Sequence, residues 1–141
     1  QWKDQPQPMQ FDPQQFQLPS NNYWVSSFWD ERILSVKAGQ TLPLGPIAAH
    51  GCALLAVRAQ QPGKAQYLGS NLHVSQGLEV NDWQENELVL ALKLNLPRQS
   101  EGSITLSLPR PPRSTAPRWQ QIQSGIYRFQ VRLDQQAEYK I

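Results

Sequence analysis

Leu88-Val89-Leu90-Ala91-Leu92-Lys93-Leu94-Asn95-Leu96 places leucine at every second position. A period of two is the signature of a β-strand with one face to a core and one to water, because successive side chains leave the pleat on opposite sides. Pro97-Arg98 ends the run, since proline brings no N–H to a ladder. The same reading extends outward along the chain. Ile104, Leu106 and Leu108 alternate with Thr105 and Ser107, and Tyr127, Phe129, Val131 and Leu133 alternate with Arg128, Gln130 and Arg132. Each of these runs predicts a half-buried strand.

Other stretches fill in the pattern. Tyr23 to Trp29 is aromatic and β-rich, and Gly51 to Val57 is apolar on both faces, which predicts a central strand covered on both sides. Shorter strands are expected at Ile33-Val36, Gln66-Leu68, Leu72-Val74 and Ala137-Ile141. Turn chemistry separates the runs at Ala38-Gly39, Leu44-Gly45-Pro46, Gln61-Pro62-Gly63, Glu101-Gly102 and Ser124-Gly125. The best helical candidate is Asp12 to Leu18, with Asp12 as N-cap, Pro13 in the first helical position and Pro19 as the stop. It allows one or two short turns. Strands at this spacing, with almost no helix between them, predict an all-β antiparallel sandwich. The polar, turn-rich Gln60-Gln61-Pro62-Gly63-Lys64 marks a seam between a lobe over 1–59 and a second β-rich lobe over 60–141, unless the two form one continuous sandwich. The Pro- and Arg-rich segment Pro109 to Pro117 should be an extended loop.

Composition excludes several classes of function. The chain has 141 residues, 39% hydrophobic and 17% charged, with five Trp, which suits a packed core and not a disordered segment. Thirteen Lys and Arg against eleven Asp and Glu leave a net charge of +2, too little for a broad nucleic-acid footprint. No apolar stretch is long enough for a membrane-spanning helix. Cys52 is the one cysteine, so no intramolecular disulfide forms and the cysteine count does not fix the compartment, for which the cytoplasm is the working expectation. The first residue is Gln1, so the expectation is that either something was removed or the chain is a piece of a longer polypeptide.

Tests for chemistry give little. A closed zinc site wants four Cys or His ligands, and His50, Cys52 and His73 are the whole supply; Cys52 reads as a small buried hydrophobe. No Gly-x-Ser-x-Gly elbow and no glycine-rich loop entering a helix occurs. Neither a metal nor a cofactor is expected. Glycoside hydrolysis needs two carboxylates across a cleft, and most of the eleven acids fall in turns or at strand ends. Glu79, within Leu78 to Trp83, is the acid inside a sheltered motif. Pro109-Arg110-Pro111-Pro112-Arg113 fits a PxxP ligand flanked by Arg, although a rigid inter-strand loop is the plainer reading. Tyr23, Trp24, Phe28, Trp29, Trp83 and Trp119 supply large rings, for core packing first, then for an interface with another domain, then for stacking on sugars. Alternation would set Trp24 and Phe28 on one face and Tyr23 and Trp29 on the other.

A resemblance runs through residues 1–57. Gln1-Trp2-Lys3-Asp4-Gln5-Pro6, the Asp12 to Leu18 segment, Tyr23-Trp24-Val25-Ser26-Ser27-Phe28-Trp29, and Leu42 through Pro46 to Ala49-His50-Gly51-Cys52-Ala53-Leu54-Leu55 follow one another in an order that resembles the end of large glycoside hydrolases of the α-galactosidase (melibiase) type. Their C-terminal antiparallel β-sandwich follows a catalytic (β/α)8 barrel. In that pattern the Phe-Trp pair closes an aromatic strand and His-Gly opens the returning one. The chain departs from the family by continuing some eighty residues further, from Tyr67-Leu68-Gly69-Ser70-Asn71-Leu72-His73 to Gly77-Leu78-Glu79 and beyond, which looks like an extension of the sandwich. The family's two catalytic aspartates lie on the barrel, so the resemblance carries no catalytic residue onto this chain. It implies a non-catalytic domain that stabilises or caps a barrel, with His50, Gly51, His73 and Glu79 as structural motif residues and His50 bonded to neighbouring backbone. The alternatives left open are an autonomous carbohydrate-binding module and a protein-interaction sandwich using the Pro/Arg loop. Partners are then the barrel and possibly carbohydrate, with no nucleic acid and no membrane.

Overall fold

The computed structural model describes residues 5–113 and 117–141. Residues 1–4, which open the resemblance, and 114–116 of the Pro109 to Pro117 loop lie outside the described residues. The chain is all-β with antiparallel pairing throughout, and the described residues contain no helix. By contact it falls into two compact units, Gln1–Gln60 and Gln61–Ile141.

The first unit holds β1 (Gln7–Phe11), β2 (Tyr23–Ser27), β3 (Ile33–Val36), β4 (Leu42–Ile47) and β5 (Leu55–Ala59). They form a two-stranded ladder β1-β4 and a three-stranded sheet β3-β2-β5. Phe11, Tyr23, Val25 and Val36 are its buried core, ringed by half-buried Leu34, Leu42, Leu44, Leu55 and Val57.

The second unit holds β6 (Gln66–Ser70), β7 (Val80–Glu85), β8 (Leu90–Asn95), β9 (Ser100–Ser107), β10 (Trp119–Gln123), β11 (Ile126–Leu133) and β12 (Gln136–Lys140). A four-stranded sheet, β10-β11-β9-β6, and a three-stranded sheet, β12-β8-β7, enclose one core. Leu90, Leu92, Leu94 and Leu96 enter it from one sheet, and Ile104, Leu106, Tyr127, Phe129, Val131 and Leu133 from the other. These are the alternating residues of the sequence. Each fully buried large side chain contributes roughly 1.5–3 kcal/mol of transfer free energy, so this double layer is the main stabilising feature of the unit.

Several local expectations fail, each for a hydrogen-bonding reason. Asp12 does cap, its Oδ1 accepting the Gln14 N–H at 2.9 Å. The helix does not propagate, because Gln17 takes a left-handed φ of 54° and Leu18 N–H closes back on the Pro13 carbonyl at 3.0 Å. Gly51 to Leu54 is no strand and Cys52 is exposed, not a core residue. His50 at φ 59° and a Gly51 N–H bond to the Ala48 carbonyl at 2.9 Å make a turn there. β5 therefore begins only at Leu55, and its residues are half-buried. Leu72-Val74 is irregular, since nearby Ser, Asn and His side chains take up backbone donors that a ladder would otherwise use.

Two further corrections concern which face is covered. Leu88 stands 84% exposed, because Asn86 Oδ1 accepts the N–H groups of both Leu88 and Val89 at 2.9 Å and bends the run's first leucine into the β7–β8 turn. Thr105 is buried with Ser103 on the face of β9 expected to meet water. β9 lies between β11 and β6, and Thr105 Oγ1 accepts Arg128 Nε–H at 3.1 Å.

Candidate functional site

The most protected charged group is Glu79, fully buried at the end of the irregular segment 71–79 between β6 and β7. Burying a carboxylate is costly unless its oxygens are hydrogen-bonded. Here they are. The hydroxyls of Tyr67 and Ser70, both on β6, donate to Oε1. The Gly77 N–H donates to Oε2 at 3.0 Å. Glu79 also offers its backbone carbonyl to Asn95 N–H at 2.8 Å, which ties it to the end of β8.

The rest of the segment is stapled in the same way. Asn71 N–H donates to the Ser103 carbonyl at 3.3 Å, and Asn71 Oδ1 accepts Ser103 N–H at 2.7 Å. His73 Nδ1 accepts Ser75 N–H at 3.1 Å, and Ser75 Oγ in turn accepts Leu78 N–H at 3.0 Å. Gln76 is buried, while Val74 and Leu78 are exposed. The arrangement is a compact loop of the Ω type, with Gln76 and Glu79 turned inward and Ser75 at the surface. Its carboxylate is fully buried, and its hydrogen bonds hold the loop to β6.

Sequence reading singled out Glu79 and His73 but not Tyr67, Ser70, Asn71 or Gly102. A signal was available at Gly102, read as part of a turn. It lies inside β9, and glycine within a strand marks a close approach of another chain segment.

The aromatic residues are scattered. Tyr23 is buried and donates its hydroxyl to the Pro19 carbonyl at 2.6 Å. Trp24 is half-buried on β2. Trp83 and Trp119 are half-buried against the core of the second unit, where Trp119 lies 4.6 Å from Phe129. β2 ends at Ser27 and a turn follows, so the alternation does not carry Trp29 onto the face of Tyr23. Phe28 is half-buried, and Trp29, 61% exposed, meets it edge-on with ring centroids 5.0 Å apart and planes at 82°. The pair does not form one flat surface.

In the same turn Asp30 pairs with Arg32. Partial burial works against the charge on Asp30, but hydrogen bonds from Ser27 and Arg32 and the Arg32 guanidinium outweigh it and hold the carboxyl below its ordinary range. His50 is exposed, and Gly51 beside it has no room for a side chain, since a Cβ would lie 2.9 Å from the Ala48 carbonyl oxygen.

A cleft of about 660 Å³ opens in the second unit between the β7–β8 turn and the Pro109–Arg113 segment. Glu85 ends β7 and Glu87 lies in the turn after it, while Arg110 and Arg113 come from the facing segment. Two acids are thus not set across this cleft from each other as glycoside hydrolysis requires. Glu85 Oε1 is further engaged by Ala65 N–H at 2.8 Å. Among the described residues no group of three or more His, Cys, Asp or Glu is placed to hold a metal ion, and no helix is long and apolar enough to cross a membrane. Compared with models of protein families, with curated proteins and with solved structures, the chain finds no match in any of the three.

Proposed function

We propose that this chain is a non-catalytic C-terminal β-sandwich of a carbohydrate-active enzyme, a glycoside hydrolase of the α-galactosidase type, and that it steadies or caps a catalytic (β/α)8 barrel carried elsewhere on the polypeptide. The observation that carries the reading is the fate of Glu79: the acid in the most sheltered setting spends both oxygens on Tyr67, Ser70 and Gly77. General acid–base work needs a carboxyl within reach of a substrate proton, and the partners of this one are Tyr67 and Ser70 of β6 and Gly77 of its own loop. The order of the aromatic strand Tyr23–Ser27, Phe28-Trp29 and His50-Gly51 supplies the family half of the proposal.

The test has two arms. The reading frame upstream of Gln1 in the native gene should encode several hundred residues of alternating strand and helix patterning, and an initiator Met close by would overturn the reading. The isolated chain should not turn over nitrophenyl α-glycosides. The exposed ring of Trp29 favours a second reading, a carbohydrate-binding module. A saturable change of Trp fluorescence with α-linked oligosaccharides, lost in Trp29→Ala, would establish that alternative.

A further inference from the structure

The sheets of the second unit end in four outer strands: β10, β6, β12 and β7. Outer strands carry unpaired backbone groups and recruit other strands unless something blunts them. Three are blunted by register shifts, at Gln121/Gln123 in β10, Tyr67/Gly69 in β6 and Val80/Asp82 in β7. Such bulges twist an edge and break its pairing pattern. β12 pairs with β8 over Gln136–Lys140 without a shift.

The hydrogen bonding of β12 fixes which groups face outward. Ile141 exchanges both backbone bonds with Leu90, at 2.8 and 2.9 Å, and Leu96 N–H donates to the Gln135 carbonyl at 3.0 Å. Odd-numbered residues therefore bond to β8, and by the alternation of an antiparallel ladder the N–H and C=O groups of Gln136, Glu138 and Lys140 point away from it. Among the described residues no strand pairs with β12 on that side. The side chains alternate too: Gln136, Glu138 and Lys140 are exposed, while Ala137, Tyr139 and Ile141 pack half-buried against the core.

The charges along the exposed face of this sheet select a partner. Asp82 stands opposite Lys93, with an ion pair at 3.9 Å, and Lys93 stands opposite Glu138. Sign alternates at each step from β7 to β8 to β12. A second β12, antiparallel and related by a two-fold axis through Tyr139, puts Lys140 of the other copy opposite Glu138, and Glu138 of the other copy opposite Lys140. The alternation then continues across the junction twice. The neighbouring registers set Glu138 against Glu138 or Lys140 against Lys140, and like charges directly opposite are destabilising. On the other face Tyr139 meets Tyr139 and Ala137 meets Ile141, extending the apolar layer.

We propose that β12 is the contact strand of a symmetric dimer, in which two copies of this chain join edge to edge into a continuous β7-β8-β12-β12-β8-β7 sheet with reciprocal Glu138–Lys140 pairs. An isologous contact of this kind closes after two copies. A five-residue strand contact falls below the roughly 1,200 Å² of a standard stable interface, so the dimer dissociates on dilution. It is independent of the function proposed above.

Sedimentation velocity on the 141-residue chain, at concentrations up to about 1 mM, reaches dissociation constants as weak as the millimolar level. The dimer fraction should rise with concentration and fall with added salt. Glu138→Lys and Lys140→Glu each replace two attractive pairs with two repulsive ones, and each should weaken self-association by at least about tenfold. An equimolar mixture of the two variants restores opposite charges at both positions and should form heterodimer as readily as the wild type forms dimer. Both substitutions are at exposed positions, and an unchanged circular dichroism spectrum verifies the fold. A wild type that stays monomeric over the whole range, a dimer indifferent to Glu138→Lys, or a variant mixture that remains monomeric each overturns the proposal.

Discussion

Asn71 occupies the place a side chain on Gly102 would need: a Cβ there would lie 2.2 Å from Asn71 Oδ1 and 2.9 Å from Leu72 Cδ2. The same Oδ1 accepts the Ser103 N–H, so it cannot move aside without leaving a buried donor unpaired. Gly102→Ala should therefore cost about 2–3 kcal/mol of stability, from overpacking and the lost hydrogen bond together. Denaturant unfolding would measure it. In an Asn71→Ala background the nearer obstruction is gone and the Leu72 side chain remains, so the added cost of Gly102→Ala should shrink by at least about 1 kcal/mol without vanishing. Additive costs would mean that the two residues are not coupled as described.

Glu79→Gln preserves shape but replaces one acceptor oxygen with an N–H donor. Oriented to keep the Tyr67 and Ser70 hydroxyls satisfied, the amide would face the Gly77 N–H donor to donor. A loss of about 1–3 kcal/mol is expected, with faster hydrogen exchange in segment 71–79 as the local signature. A variant as stable as the wild type would show that the carboxylate does not organise the loop.

Alternation makes a paired prediction at two leucines that look alike in sequence. Leu92 is fully buried, and Leu92→Ala should cost about 2–5 kcal/mol as a cavity opens in the core. Leu88 is 84% exposed, and Leu88→Ala should stay within about 0.5 kcal/mol of the wild type. Thermal melts of the two variants side by side would decide it.

The Asp30–Arg32 pair gives a small pH dependence. The folded-state pKa of Asp30 lies below its unfolded value, so the pair stabilises the fold above that unfolded value, and the contribution disappears as pH falls through the folded one. The pair is well exposed, at 54% and 44% for the two side chains, so solvent screens it and Asp30→Asn should cost well under about 1 kcal/mol at neutral pH. The difference between variant and wild type should close in acid. A gap that widened there would refute the assignment.

What could be read ahead of the structure follows range. Strand identity at Leu90–Asn95 and Ile126–Leu133 rests on side-chain alternation within one segment, and those strands stand where periodicity sets them. Where a backbone donor had a choice of acceptor, periodicity misled. Asp12 supplies a cap to a turn that never becomes a helix, and Asn86 bends Leu88 out of its strand. Glu79 was legible as a sheltered acid, but its partners lie 9 and 12 residues away on another strand.

From its own pattern the chain decides that it folds as antiparallel β-structure, and which side chains of Leu90–Asn95 and Ile126–Leu133 turn inward, because a strand's two faces are fixed by the geometry of neighbouring residues. Only the assembled fold decides that Glu79 is held by Tyr67 and Ser70, that Gly102 must be bare, and that β12 is left with an unblunted edge. Those outcomes depend on which strands meet and in what register, and that is set by the joint burial of distant segments.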